Sequence, residues 1–547
     1  MYLPPAHIWG LTGLRASLFV HHGAKFPPSP EGSMTANPHP ATLTHDAAEA
    51  VPTPATVRIV LAAVAVTLLL ATLGQTIVTP ALPVIVADLG GLDRITWVIT
   101  AYLLASTVAA PIFGKLGDLF GRKLVLQAGI VIFLAGSVVA ALAGSMGMLV
   151  AGRTIQGLGG GGLIVVCMAA VADVLPPRER GRAQGLLGAV FGVSTVIGPF
   201  LGGFLVQHLN WHWIFIVNLP LGVAALVILG LGLRGKPGGQ RPRIDYAGAV
   251  LLTLFLSATV LVANLGGTVL AWSDPAMVGL VGFAGLALAG FIAAQARAAE
   301  PILPLPLFRM NTFVVINTVG FLIGMAMFGT ITFIPLFLQV VMGATPTESG
   351  LFLLPMMAGL IASSTLAGRS MTRRGRYRAL PIASNLGLAL AMGLIATVGP
   401  DTSLWLVGGY MLLVGLGIGP NMSIGVAAIQ NAVPRAMLGV GTASANMFRL
   451  IGGAIGTAAF GALFAAGLRG GVGNLLPEGT SAGLGSLSRD VVMALPEATR
   501  DAVLNGFADA MHPVFQVLAV VALIAAGVSV ALRERPMVHE GPRGGRA

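Results

Sequence analysis

Apolar residues run along this chain in blocks of about twenty, broken by short segments rich in Gly, Pro and charge. An α-helix rises ~1.5 Å per residue, so a block of that length crosses the hydrocarbon of a bilayer. Read against their punctuation, the blocks predict helices over roughly 58–79, 95–114, 124–144, 148–171, 184–206, 213–233 and 247–267. They continue over 276–296, 313–339, 349–370, 380–398, 403–425, 438–466 and 512–532. The pattern predicts an all-α polytopic membrane protein of about 14 transmembrane helices, and an even number puts both chain ends on one side.

Composition supports that picture. The 547 residues are 55% hydrophobic and 9% charged, whereas a soluble domain carries about a quarter charged residues. The 75 glycines suit helices that approach closely in lipid. A net charge of +11 could suggest nucleic acid, but the basic residues lie in short loops between apolar blocks, so no nucleic-acid partner is expected. Loops after even-numbered helices and the C-terminal tail hold 22 Lys and Arg, against four in the odd-numbered loops. That bias predicts both termini in the cytoplasm.

The expected organisation is a cytosolic tail over 1–57, a six-helix half over 58–233, an inserted helix pair over 234–300 and a second six-helix half over 301–532. A solvated outer segment spans 467–511 within that second half, and a cytosolic tail follows over 533–547. No cleavable signal peptide is expected, and residues 1–33 read as an over-extended start ahead of Met34. Cys167, the one cysteine, sits in an apolar block and reads as packing; no metal-ligand spacing and no cofactor motif is found.

Four stretches carry chemistry. Gly114, Gly117 and Gly121 punctuate GKLGDLFGRK at the end of helix 2, where Asp118 and Arg122 can form charge-assisted bonds present in one conformation and broken in another. A G-x6-G-R echo recurs from Gly368 to Arg376 at the end of helix 10, as two related halves require. Arg153 and Gln156 lie in helix 4; about 20 residues separate Arg153 from Asp173, or ~30 Å of helix. A buried guanidinium there should face a wet cavity or a partner. Helix 5 carries Gly185, Ser194, Gly198, Pro199, Gly202 and Gly203, a kink beside a small-x3-small contact face. Phe448-Arg449 begins a Gly-rich run in helix 13.

Together these stretches, with Trp97-to-Tyr102, Trp211-to-Pro220 and Pro335-to-Gln339, resemble the major facilitator superfamily, in its fourteen-helix drug:proton antiporter branch of EmrB/QacA-like exporters. The resemblance covers nearly all of residues 72–535. It implies the major facilitator fold, with two six-helix pseudo-repeats plus two inserted helices. It further implies a conformational latch at Gly114, Gly117, Asp118, Gly121, Arg122 and Asp173, and proton coupling or substrate contact at Arg153, Gln156 and Arg449. Gly185, Gly198, Pro199, Gly202 and Gly203 match its antiporter motif, which points to export.

One departure matters. Where the family's helix 1 begins its pattern with Leu-Asp, this chain has Leu73-Gly74. No other acid lies well inside a predicted helix, so the usual intramembrane proton carrier is missing. Three readings stay open: coupling through Asp118 and Asp173, a neutral or anionic substrate meeting Arg153 and Arg449, or weak coupling. The second is favoured, since buried arginines without a buried acid repel organic cations. Gln75, Thr76 and the segment Met325-Ala326-Met327-Phe328 are candidate cavity residues. The expected function is export of amphiphilic small molecules with protons as partner, any periplasmic adaptor being unknown. A dedicated exporter of an endogenous metabolite is the alternative. A receptor is disfavoured for want of a soluble domain, and an enzyme for want of a buried His/Asp/Glu cluster.

Overall fold

The computed structural model describes residues 54–90, 95–232, 244–266, 270–344, 346–472 and 496–534. The N-terminal tail up to residue 53, the loop charges Arg94, Arg234, Lys236, Arg241, Arg243 and Arg489, and the C-terminal residues from 535 lie outside these. Fourteen long helices follow in order: α1 (Pro54–Thr76), α2 (Ile95–Phe120), α3 (Arg122–Ala141), α4 (Met146–Val174), α5 (Pro177–His208), α6 (Asn218–Gly232) and α7 (Tyr246–Leu265). Then come α8 (Pro275–Arg297), α9 (Asn311–Val340), α10 (Leu354–Arg374), α11 (Ala379–Ile395), α12 (Leu404–Ala432), α13 (Leu438–Val472) and α14 (Glu497–Val530). Each coincides with one predicted apolar block. The shortest, α6, has 15 residues, and α11 has 17.

Large apolar side chains point outward all around the bundle, among them Val131, Phe200, Leu231 and Leu286. In water that surface would be untenable; in lipid it is the expected coat. Trp213 and Trp405 are exposed near the end opposite the basic loops, where amphipathic rings suit a membrane interface.

Helices α1–α6 pack among themselves, as do α9–α14. Each half has a buried axis: α4 touches α1, α2 and α3, and α12 touches α9, α10 and α11. Glycine makes these contacts close. A side chain at Gly161 would strike the backbone of Ser106 in α2, and one at Gly415 would strike the carbonyl of Met356 in α10. The halves meet along two seams, α2 against α13 and α5 against α10 and α12. The pair α7–α8 is peripheral; α8 packs on α7, and α7 lies over α2 and α13. Asp245 caps α7 through the Gly248 amide at 2.7 Å and also accepts from Gln295 of α8 at 2.7 Å, which ties the pair together.

Several helices overrun their predicted ends. α2 continues through Lys115 and Asp118 to Phe120, because the charges there are paired, Lys115 with Glu300 at 2.7 Å and Asp118 with Arg122. α14 begins at Glu497, so residues 497–511, expected as part of a solvated segment, are helical. Val503, Phe507 and Met511 recur at helical spacing and are buried, with Phe507 edge-on to Phe464 of α13 at 4.9 Å. Arg500, Asp501 and Asp509 lower the local hydropathy and hid that stripe. Residues 473–495 of the same segment are outside the described set.

Candidate functional site

Two clusters lie at opposite ends of the N-terminal half. At the basic-loop end, Gly121 separates α2 from α3 with φ of 88°, a conformation that suits glycine. The turn brings Arg122 back over α2, where Nη2 donates to Asp118. Nε donates to Asp173 of α4 at 2.8 Å. Asp118 also accepts from the amides of Gly439 and Val440, at 2.8 and 2.9 Å. Those amides open α13, whose first turn has no internal acceptors for them and carries the positive end of the helix dipole. A carboxylate of one half thus caps a helix of the other. Gly114 permits it: a Cβ there would lie 2.8 Å from the Gly439 carbonyl oxygen, and 2.7 Å from Ala443. Gly117 does the same for Arg122, whose Nη1 would lie 2.7 Å from an added Cβ.

The second seam is closed at the same end by groups the sequence did not single out. Gln430 of α12 donates to the Met168 carbonyl oxygen of α4 and to Thr442, both at 3.0 Å. Gln184 of α5 donates to the same Met168 carbonyl at 3.0 Å and to Gln430 at 3.3 Å. Arg180 donates to the Gln430 carbonyl at 2.9 Å and to Asn431 at 3.1 Å. An amide inside an apolar helix was the available signal; its partner, 262 residues away in sequence, was not. Alongside, a side chain at Gly368 would strike the Gly181 carbonyl, and one at Gly185 would lie 2.9 Å from the Ser364 carbonyl. Both copies of the repeated glycine motif therefore sit where the halves touch.

The antiporter-motif residues divide. Gly185 faces α10, whereas Gly198 and Gly202 face Thr76, the last residue of α1, and Ile77 just after it. Pro199 is exposed, and Gly203 has open space where a side chain would go, so these two are not part of either contact. Ser194 is buried with its hydroxyl on the Val190 carbonyl at 2.7 Å. Thr76, expected as a cavity residue, is wedged into the α1–α5 contact, its hydroxyl 3.4 Å from the Ser194 carbonyl. Gln75 beside it is half-buried. Of the Met/Phe segment, Met327 is buried in the core, while Met325 and Phe328 cover Gly456 and Gly453 of α13; that stripe is packing.

Toward the other end, Arg153 is 1% exposed. Its Nε donates to the Val98 carbonyl at 3.1 Å and Nη1 to the Gly74 carbonyl at 2.8 Å. Nη1 also donates to Gln156, which in turn donates to Ser137 at 2.8 Å. The guanidinium carbon lies 4.2 Å from the centroid of the Tyr102 ring. One arginine thereby joins α1, α2 and α4 with main-chain oxygens and an aromatic face in place of a carboxylate. Gly74 is where the acid would stand, and its missing side chain is replaced by Phe133 of α3, whose Cζ would lie 2.5 Å from an added Cβ. Arg153 is thus enclosed by protein.

Arg449 differs. It lies about 11 residues into α13, or ~16 Å, where a charge costs at least ~2.5 kcal/mol. Nη2 donates to Asn446 and Nη1 contacts the Met422 sulfur at 3.0 Å, while Nε has no partner. Gly324 of α9 lets the Arg449 backbone approach, since a side chain there would strike its carbonyl.

The comparisons fit this architecture. The sequence model of the Major Facilitator Superfamily matches residues 64–457. An uncharacterized MFS-type transporter of Mycobacterium tuberculosis is 39% identical over 485 residues, 88% of this chain and 71% of its own. The multidrug transporter protein MdtP of Bacillus subtilis is 38% identical over 406 residues, 74% of each chain. The solved human organic anion transporter MFSD10 (TETRAN) superposes with a TM-score of 0.59 at 16% identity, covering 86% of this chain and 99% of that one, a likeness of fold. The chain belongs to the major facilitator superfamily.

Proposed function

We propose that this protein exports amphiphilic small molecules across a bacterial plasma membrane by alternating access, with both termini in the cytoplasm and the basic-loop end closed in the conformation described. The observation that carries the reading is the Asp118 carboxylate of one half bonded to the first amides of α13 in the other. A contact of that kind can be made only while the halves are tilted together at this end, so breaking it accompanies opening. The name of MdtP and the antiporter-motif glycines between α5 and its neighbours support export over uptake.

The proton gradient is the proposed driving force. Asp118 and Asp173 are the carboxylates bonded to Arg122 where the halves meet, so they are the groups through which protons would act. The test is transport in proteoliposomes under an imposed pH gradient, screened over cationic, neutral and anionic amphiphiles. Gradient-dependent accumulation of at least one compound is expected. Equal fluxes with and without the gradient would remove proton coupling, and no flux of any compound would remove export.

A further inference from the structure

Arg449 carries a full charge into the second half with no acid bonded to it among the described residues. It is 9% exposed, its Nε is buried without a partner, and it borders a cavity of about 30 Å³ among α9, α11, α12 and α13. The remaining wall is neutral: Ile316, Val319, Ile323 and Met422 are apolar, and Asn421 is the other polar side chain. Asn421 is held in place by bonds from its Nδ2 to Asn385 at 2.8 Å and to Ser384 at 3.2 Å. A void needs ~10–15 Å³ to hold a water, so this one takes a group the size of a halide or a carboxylate head and nothing as large as a whole drug.

We propose that the Arg449 cavity is a binding site for a small monovalent anionic group. The uncompensated guanidinium lines the cavity and supplies the charge an anion needs, and its buried Nε–H is a donor that no protein group satisfies. A cation is repelled there, and a water satisfies the donor but leaves the charge unbalanced in low dielectric. Arg153 is the poorer candidate, because its Nε and Nη1 donate to carbonyls and Gln156 and its face lies on Tyr102. The group can be a free halide or the carboxylate of a transported compound; the second source rests on the exporter reading, the first does not.

The test is thermal melting of the purified full-length protein with chloride titrated against the bulkier divalent sulfate at constant ionic strength, and in parallel with benzoate. Wild type is expected to show a saturable rise in melting temperature that Arg449→Gln loses. A chloride response identifies a free ion; a benzoate response without one identifies a cargo carboxylate. Should Arg449→Gln fail to fold, Asn421→Asp decides, since it places a permanent counter-charge in the cavity and should melt independently of either anion. Identical wild-type melting in all salts, or an undiminished anion response in Asn421→Asp, overturns the site. Melting is read without transport. A protein that binds anions and exports nothing therefore contradicts the exporter reading alone, and one that exports while ignoring anions contradicts this site alone.

Discussion

Arg153 donates a 2.8 Å hydrogen bond to the main-chain oxygen of Gly74, the residue that stands where the family's first helix carries an acid. The backbone has taken over the acceptor role of the missing side chain, and Phe133 has taken its space. A carbonyl cannot gain or lose a proton, so this junction is fixed where an Asp–Arg pair would be switchable.

Restoring the acid therefore needs two changes. Gly74→Asp alone puts a Cβ 2.5 Å from the Phe133 ring and should cost about 1–3 kcal/mol through overpacking. Phe133→Leu shortens the obstacle, so the double variant should melt above Gly74→Asp and gain efflux of a permanent cation such as ethidium. Additive melting shifts, with no ethidium efflux, would mean the two positions are not coupled as the geometry requires.

Asp118→Asn keeps the shape and removes the charge that holds Arg122 and the α13 amides. Transport should fall at least ~10-fold, corresponding to about 1.4 kcal/mol lost from the closed state, while the protein still folds. Spin labels at Lys123→Cys and Arg374→Cys, in a Cys167→Ser background, should show a longer distance than in the parent. An unchanged distance distribution would mean that Asp118 does not hold the ends together.

Gln430→Leu tests the second seam separately. It removes donors to Met168 and Thr442 and leaves the Met168 carbonyl to Gln184 alone. A buried acceptor that loses one of two donors costs about 1 kcal/mol. The same spin-label pair should shift part of the way seen for Asp118→Asn, and the double variant should shift further.

The glycines of α5 give a graded comparison. Gly198→Ala and Gly202→Ala push a methyl into Thr76 and the Ile77 carbonyl and should abolish transport or folding. Gly203→Ala meets open space and should leave melting within about 0.5 kcal/mol of wild type, apart from the helix-favouring gain of replacing glycine. Equal damage at all three positions would contradict the α1–α5 contact.

Much of the fold was legible because each spanning helix has to be apolar over its own length, whatever it packs against. The α14 start was not legible, since Val503 and Phe507 are apolar on one face only and the charges between them dominate any local average. The Asp118–Arg122 pair was legible from a ten-residue motif. Its third partner, the first turn of α13, was not, because Gly439 and Val440 offer main-chain amides that no residue type announces.

The sequence by itself determined the succession of about fourteen apolar blocks, the repeated glycine motif, and the glycine in place of the family's helix 1 acid; hydropathy, charge bias and local motifs are properties of nearby residues. Tertiary structure alone decided what stands in for that acid, which motif glycines touch another helix, and that Arg153 is tied down while Arg449 retains an unused donor. Those outcomes depend on which distant backbones come within bonding distance, and close approach is set by packing across helices.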